Sequence, residues 1–199
     1  MRKWIQAGIL FLVAVCIVCA YALDREQSEL SDKLIRLHVV AASDSEEDQA
    51  LKLEVRDKVL SELSMMLSGT TDREEALTII SENEDILREA ASAVVNEAGV
   101  SDDVTVTLKN EDFPTRDYDT FSLPAGEYES LRIVIGEGEG HNWWCVVFPP
   151  ICTEAAIDQG AAAVSLTDDE KKLITGENEG YVIKFKSIEI YEKIKMAIF

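Results

Sequence analysis

The hydrophobic period of this chain switches from helical to strand spacing at Gly99, and that change decides its fold class. Upstream, apolar side chains recur at helical spacing. Leu51, Val55, Val59, Leu63 and Met66 line one stripe, and Leu77, Ile80, Leu87, Ala91, Val94 and Ala98 line a second. Downstream, Val104, Val106 and Leu108 alternate with Thr105, Thr107 and Lys109, the period of a half-buried strand. A helix buries a stripe and a strand buries a face, so helices followed by strands need one layer of each. The pattern predicts an α+β fold: a mostly antiparallel sheet with helices packed on one face, preceded by an N-terminal signal or anchor helix.

Boundary residues sharpen this reading. LIRLHVVA, residues 34–41, predicts a strand with Ile35, Leu37 and Val39 on one face and Arg36 and His38 on the other. Ser43-Asp44-Ser45-Glu46-Glu47-Asp48 is dense in helix-capping residues and first-turn acids. It opens a helix to about Leu67, which Gly69 ends. Thr71, with Glu74 three residues on, opens a second helix that runs to Gly99. Residues 113–126 read as a long connection, 131–135 and 143–148 as further strands of a meander, and 136–140 as the hairpin turn between them. A short helix over 166–174, a strand over 181–186 and a last helix over 187–199 complete the order.

The first three residues are Met1-Arg2-Lys3, and no charged residue follows until Asp24. Ala20-Tyr21-Ala22 fits the small-x-small pattern of a cleavage site, and the apolar stretch is also long enough to span a bilayer as a helix. Residues 1–22 are therefore a signal peptide or an uncleaved membrane anchor, and residues 23–199 a single extracytoplasmic domain. Without the leader the net charge goes from −19 to about −21, because Arg2 and Lys3 leave and no acid does. Such a surface repels phosphate and anionic lipid, so nucleic acid is not a partner, and the membrane is one only through the leader.

Cys145 and Cys152 remain outside the leader. In an exporting compartment they form a disulfide if the chain folds back between them, as Pro149-Pro150 permits; otherwise they are two buried thiols. Gly136-Glu137-Gly138-Glu139-Gly140 superficially resembles a phosphate loop, but a strand follows it and two glutamates would repel phosphate. His38, His141, Cys145 and Cys152 lack metal-site spacing, so neither metal nor cofactor is expected. Cys145 with His38 or His141 could form a nucleophile pair, which leaves a small secreted hydrolase as the alternative function.

Two segments carry more polar and aromatic character than a core requires. One is the strand–helix junction with Arg36, His38, Ser43, Asp44, Asp48, Gln49 and Arg56. The other is His141-Asn142-Trp143-Trp144. Adjacent strand residues face opposite ways, so the two tryptophans cannot share one side. The expectation is one core Trp and one anchor for a partner.

LIRLHVVAASDSEEDQALKLEVRDKVL and FPTRDYDTFSLPAGEYESLRIVIGEGEGHNWWCVVFPPIC resemble the stage II sporulation protein R family of endospore-forming Firmicutes, from about Leu34 onward. Ala42 departs from the asparagine expected there. The resemblance implies a secreted signalling protein rather than an enzyme. Such a protein is exported across the forespore membrane into the intermembrane space. There it activates a membrane-bound aspartic protease of the mother cell, which processes the mother-cell sigma factor precursor. The residues expected to bind that partner are Arg36, His38, Ser43, Asp44, Asp48, His141, Asn142, Trp143 and Trp144.

Overall fold

In the computed structural model, which describes residues 2–118, 121–149 and 188–190, helix and strand follow the change of period. The elements are α1 (Arg2–Ser31), β1 (Ile35–Val40), α2 (Glu46–Met66), α3 (Arg73–Glu82), α4 (Glu84–Glu97), β2 (Val104–Phe113), β3 (Arg116–Asp117), β4 (Ser122–Leu123), β5 (Gly126–Ile135) and β6 (Asn142–Phe148). The described residues divide between two compact units. One takes residues 32–111 and 128–149; the other takes 2–31, 112–118, 121–127 and 188–190.

The larger unit is built on a four-stranded sheet in the order β2-β5-β1-β6. β1 runs parallel to β5, with Leu37 beside Leu131 and Val39 beside Ile133. It runs antiparallel to β6, with Leu37 opposite Cys145 and His38 opposite Trp144. The Gly136 N–H donates to Asp103 O at 2.8 Å, which sets the end of β5 beside the start of β2. The sheet is therefore mixed. The expected meander is corrected in one respect: β5 and β6 are not neighbours, because β1 lies between them. An alternating pattern states which face a residue takes, not which strand lies beside it.

Residues 136–140 consequently do not close a hairpin. They cross the C-terminal end of β1, where Glu139 N donates to Ala42 O (3.2 Å) and Gly140 N to Ala41 O (3.0 Å). Gly136 and Gly138 take φ of +58° and +67°, which glycine adopts without strain. Gly140 is needed for a different reason. A Cβ there would lie 2.2 Å from the Ser43 carbonyl oxygen, a backbone atom that cannot swing aside.

One core cluster joins the sheet to the helices. Leu37, Val39, Leu131, Ile133, Ile135 and Cys145 face Leu51, Val55, Val59 and Leu63 of α2, Ile80 of α3, and Leu87 and Ala91 of α4. The α2 stripe matches its predicted positions. Ser45 caps this helix, its hydroxyl accepting the Asp48 N–H at 3.1 Å. The second predicted helix is two. Its cap is Asp72, which accepts the Glu75 N–H at 3.0 Å, and it breaks at Asn83, which ends α3 and starts α4. The Asn83 amide donates to Ile79 O at 2.7 Å, a local bond that competes with continuing the helix.

In the smaller unit, β3 and β4 form a two-stranded ladder inside the stretch expected to be an irregular connection. Arg116 sits opposite Leu123, and Tyr118 stacks on Phe121 with ring centres 4.5 Å apart. Gly126, at φ +154°, leaves room for the Gln27 amide, which would overlap any Cβ. α1 passes through residues 20–22 without a break. Among the described residues no helix is long and apolar enough to cross a membrane. The predicted elements over 166–174 and 181–186 and most of the last helix lie outside the described residues, as does Cys152; residues 188–190 are helical.

Gly140→Ala should destabilise the protein by about 1–3 kcal/mol, the usual cost of forcing an atom into filled space. Urea unfolding followed by circular dichroism measures this, with Gly69→Ala, strained at φ +86° but meeting no neighbouring atom, as the comparison.

Candidate functional site

The strand–helix junction and the β6 segment meet, but they form two groups on opposite faces of the sheet. Alternation along β6 separates them. Asn142 and Trp144 share a face with Arg36 and His38 of β1, while Trp143 lies on the face that α2 covers.

The first group is centred on His38, a buried imidazole. Its ring stacks on Trp144 with centres 3.8 Å apart and planes 17° from parallel. Its Nδ1 is 3.1 Å from Glu111 Oε2, and its Nε2 is 2.9 Å from Asn142 Oδ1. Arg132 of β5 donates to Glu111 Oε1 at 2.6 Å, and Lys109 lies 3.4 Å from the same oxygen. Burial pushes the His38 ring below the ordinary imidazole range and outweighs the hydrogen bonds and the Glu111 charge that pull it up; Arg132 adds to the lowering. A neutral ring that donates from Nδ1 to Glu111 takes the Asn142 amide in the orientation that presents its NH2 to Nε2. Burial pushes the Glu111 carboxyl up, but the bonds from Arg132 and His38, with their charges, together hold it below the ordinary range. Arg36 is fully buried, its guanidinium carbon 4.9 Å from the centre of the Tyr128 ring. Arg36 and His38 are thus inside the protein rather than on its surface.

The second group grips the backbone of His141 from both sides. Asp44 Oδ1 accepts the His141 N–H at 2.7 Å and also contacts Nδ1 of its ring. The Lys52 ammonium donates to the His141 carbonyl at 2.9 Å and to Gln49 Oε1 at 2.5 Å. Gln49 Nε2 donates to Ser43 O at 2.8 Å, and the Ser43 hydroxyl donates to Asp48. Lys52 is only 4 % exposed. Burial lowers its pKa, Asp44 opposes that shift, and Arg56 adds to it. Past this clamp, Trp143 is exposed and the Arg56 guanidinium lies 4.4 Å from the ring centre. Such a stack contributes about 0.5–1 kcal/mol at an exposed site.

Neither tryptophan joins the core cluster. Trp144 is half-buried beside His38 and Trp143 is exposed beside Arg56, so the two differ in exposure but neither is a core residue. Cys145 is buried opposite Leu37 on the helix-covered face, pointing away from His38. Among the described residues no group of His, Cys, Asp and Glu could hold a metal ion.

Lys52, Glu111, Arg132 and Gly140 were not among the residues expected to form the site. Glu111 carried a signal. It falls on the Thr105, Thr107, Lys109 face of β2, the same face as His38, where a lone carboxylate near a histidine and an arginine finds partners. Lys52 carried none, since a lysine beside an apolar stripe is ordinarily solvated.

The family model for stage II sporulation protein R matches residues 31–158. Stage II sporulation protein R of Bacillus subtilis (strain 168) is 38% identical over 123 residues, which cover 62% of this chain and 55% of that protein. The chain thus spans about half the length of this curated relative. No solved structure matches.

The depressed His38 and Glu111 values set the sign of the pH dependence. As pH falls below about 6.5 the unfolded chain binds a proton that folded His38 resists, so stability drops; it drops again below about 4.5, where Glu111 acts alike. Urea unfolding across this range should show both declines. His38→Gln should remove the first and leave the second. An unchanged slope near pH 6 in that variant would show that the ring is not the group responsible.

Proposed function

Because this chain belongs to the stage II sporulation protein R family, we propose that it is an exported sporulation signal. In this reading it crosses the forespore membrane and activates a membrane-bound aspartic protease of the mother cell. The protease then processes the mother-cell sigma factor precursor. The family match over residues 31–158 carries this reading, because it spans β1 through β6 and both halves of the site.

The geometry supports a ligand over the hydrolase alternative. A Cys145–His38 pair would need both side chains on one face, and they take opposite ones. His141 is four residues before Cys145 on an extended segment, a separation of about 13 Å, and its Nδ1 already meets Asp44. What the surface offers instead is a rigidly held edge with an exposed tryptophan, the kind of feature on which binding energy concentrates. The leader, cleaved or retained, and the Cys145–Cys152 disulfide are parts of the same proposal: an exported protein meets an oxidising compartment.

In sporulating cells lacking this chain, the sigma factor precursor should stay uncleaved. Supplying the chain should restore cleavage and allow it to be co-purified with the protease. Normal processing in its absence overturns the proposal. Thiol labelling of the exported protein without reductant should leave Cys145 and Cys152 unmodified; two labelled cysteines in folded protein exclude the bridge.

A further inference from the structure

Trp143 is the one exposed Trp, Tyr or Phe among the described residues of the larger unit. Its surroundings have a definite electrostatic character. The cations nearest to it are engaged within the protein. Arg56 stacks on its ring and pairs with Asp57 at 2.7 Å, and Lys52 is buried on His141 O and Gln49. The exposed partners of the groups that hold it are acidic. The Asp57 and Asp44 side chains are 65% and 56% exposed, and Glu46, Glu47, Glu137 and Glu139 are exposed on the adjoining helix start and turn. The whole chain adds to this field with a net charge of −19.

We infer that Trp143, under Arg56 and with the exposed carboxylates of Asp57 and Asp44 on the residues that hold it, is the docking point for a cationic segment of the partner protein, one rich in Lys or Arg. The inference rests on the reading under Proposed function and specifies the chemistry of the protease face that the chain would meet. A basic segment lays aliphatic stems or a guanidinium plane on the indole while its charges reach Asp44 and Asp57. The Asp44 and Lys52 clamp on the His141 backbone holds Trp143 in place before contact, which lowers the ordering cost of binding. An acidic or neutral partner would face uncompensated repulsion or desolvation at this edge. The opposite face does not compete for this role, since Arg36 and His38 are buried there.

The test measures association of the full chain with the membrane-bound protease reconstituted in lipid vesicles, beside protein-free vesicles of the same lipid. Trp143→Ala should weaken binding at least tenfold, mainly through faster dissociation. Asp57→Lys should slow association severalfold at low ionic strength, an effect that shrinks as salt screens the charges. Thermal melting of each variant reports folding. If Trp143→Ala melts early, Asp57→Lys alone decides, because its site is exposed. Wild-type binding that neither variant disturbs, or an Asp57→Lys effect that ignores salt, overturns the inference and leaves the proposed function standing. Absence of wild-type binding overturns both. Trp143-dependent binding to protein-free vesicles makes this a lipid-binding edge and overturns the cationic-segment assignment.

Discussion

Both faces of β1 are buried, and the rest of the described structure is arranged around satisfying that strand. All six of its residues are covered, including Arg36 and His38. On one side Leu37 and Val39 enter the core that α2, α3 and α4 cover. On the other, an imidazole and a guanidinium must find partners, because a buried polar group left alone costs free energy. For His38, β2 supplies Glu111, itself held by Arg132 of β5, and β6 supplies Asn142 and Trp144; for Arg36, β5 supplies the Tyr128 ring. The turn over 136–140 then has to step across the end of β1, which brings Gly140 onto Ser43 and His141 onto Asp44.

Much of this was legible in the residues. The change of period at Gly99, the stripe of α2, the glycine stops at 69 and 99 and the opposed faces of Trp143 and Trp144 all follow from local rules of helices and strands. Strand order was not legible. Alternation fixes which residues of β5 face inward, but nothing in residues 131–148 says that β1, far earlier in the chain, lies between β5 and β6. The break at Asn83 was hidden because the apolar stripe continues on both sides of it. Of the candidate site, the right segments were visible but not their division. Arg36 and His38 looked like surface groups on the polar face of a strand, and only the sheet order shows that this face is covered.

The site therefore separates two roles that the sequence had merged. The His38, Glu111 and Arg132 network ties three strands together. The Asp44, Lys52 and His141 clamp ties α2 to β6 and presents Trp143. The second group carries the exposed Trp143, whereas the first lies among buried residues of β1.

The order of the strands also governs when the sheet can close. Leu37 meets Leu131 and Cys145, partners about ninety and more than a hundred residues further along the chain, so the central contacts are long-range ones that form slowly. A chain emerging from its N-terminus would present β1 and all three helices of the core before either neighbour of β1 had appeared. Residues 32–100 on their own hold the apolar side of a layer with no sheet to receive it. Closure of the sheet around β1 waits for β6, which ends at Phe148.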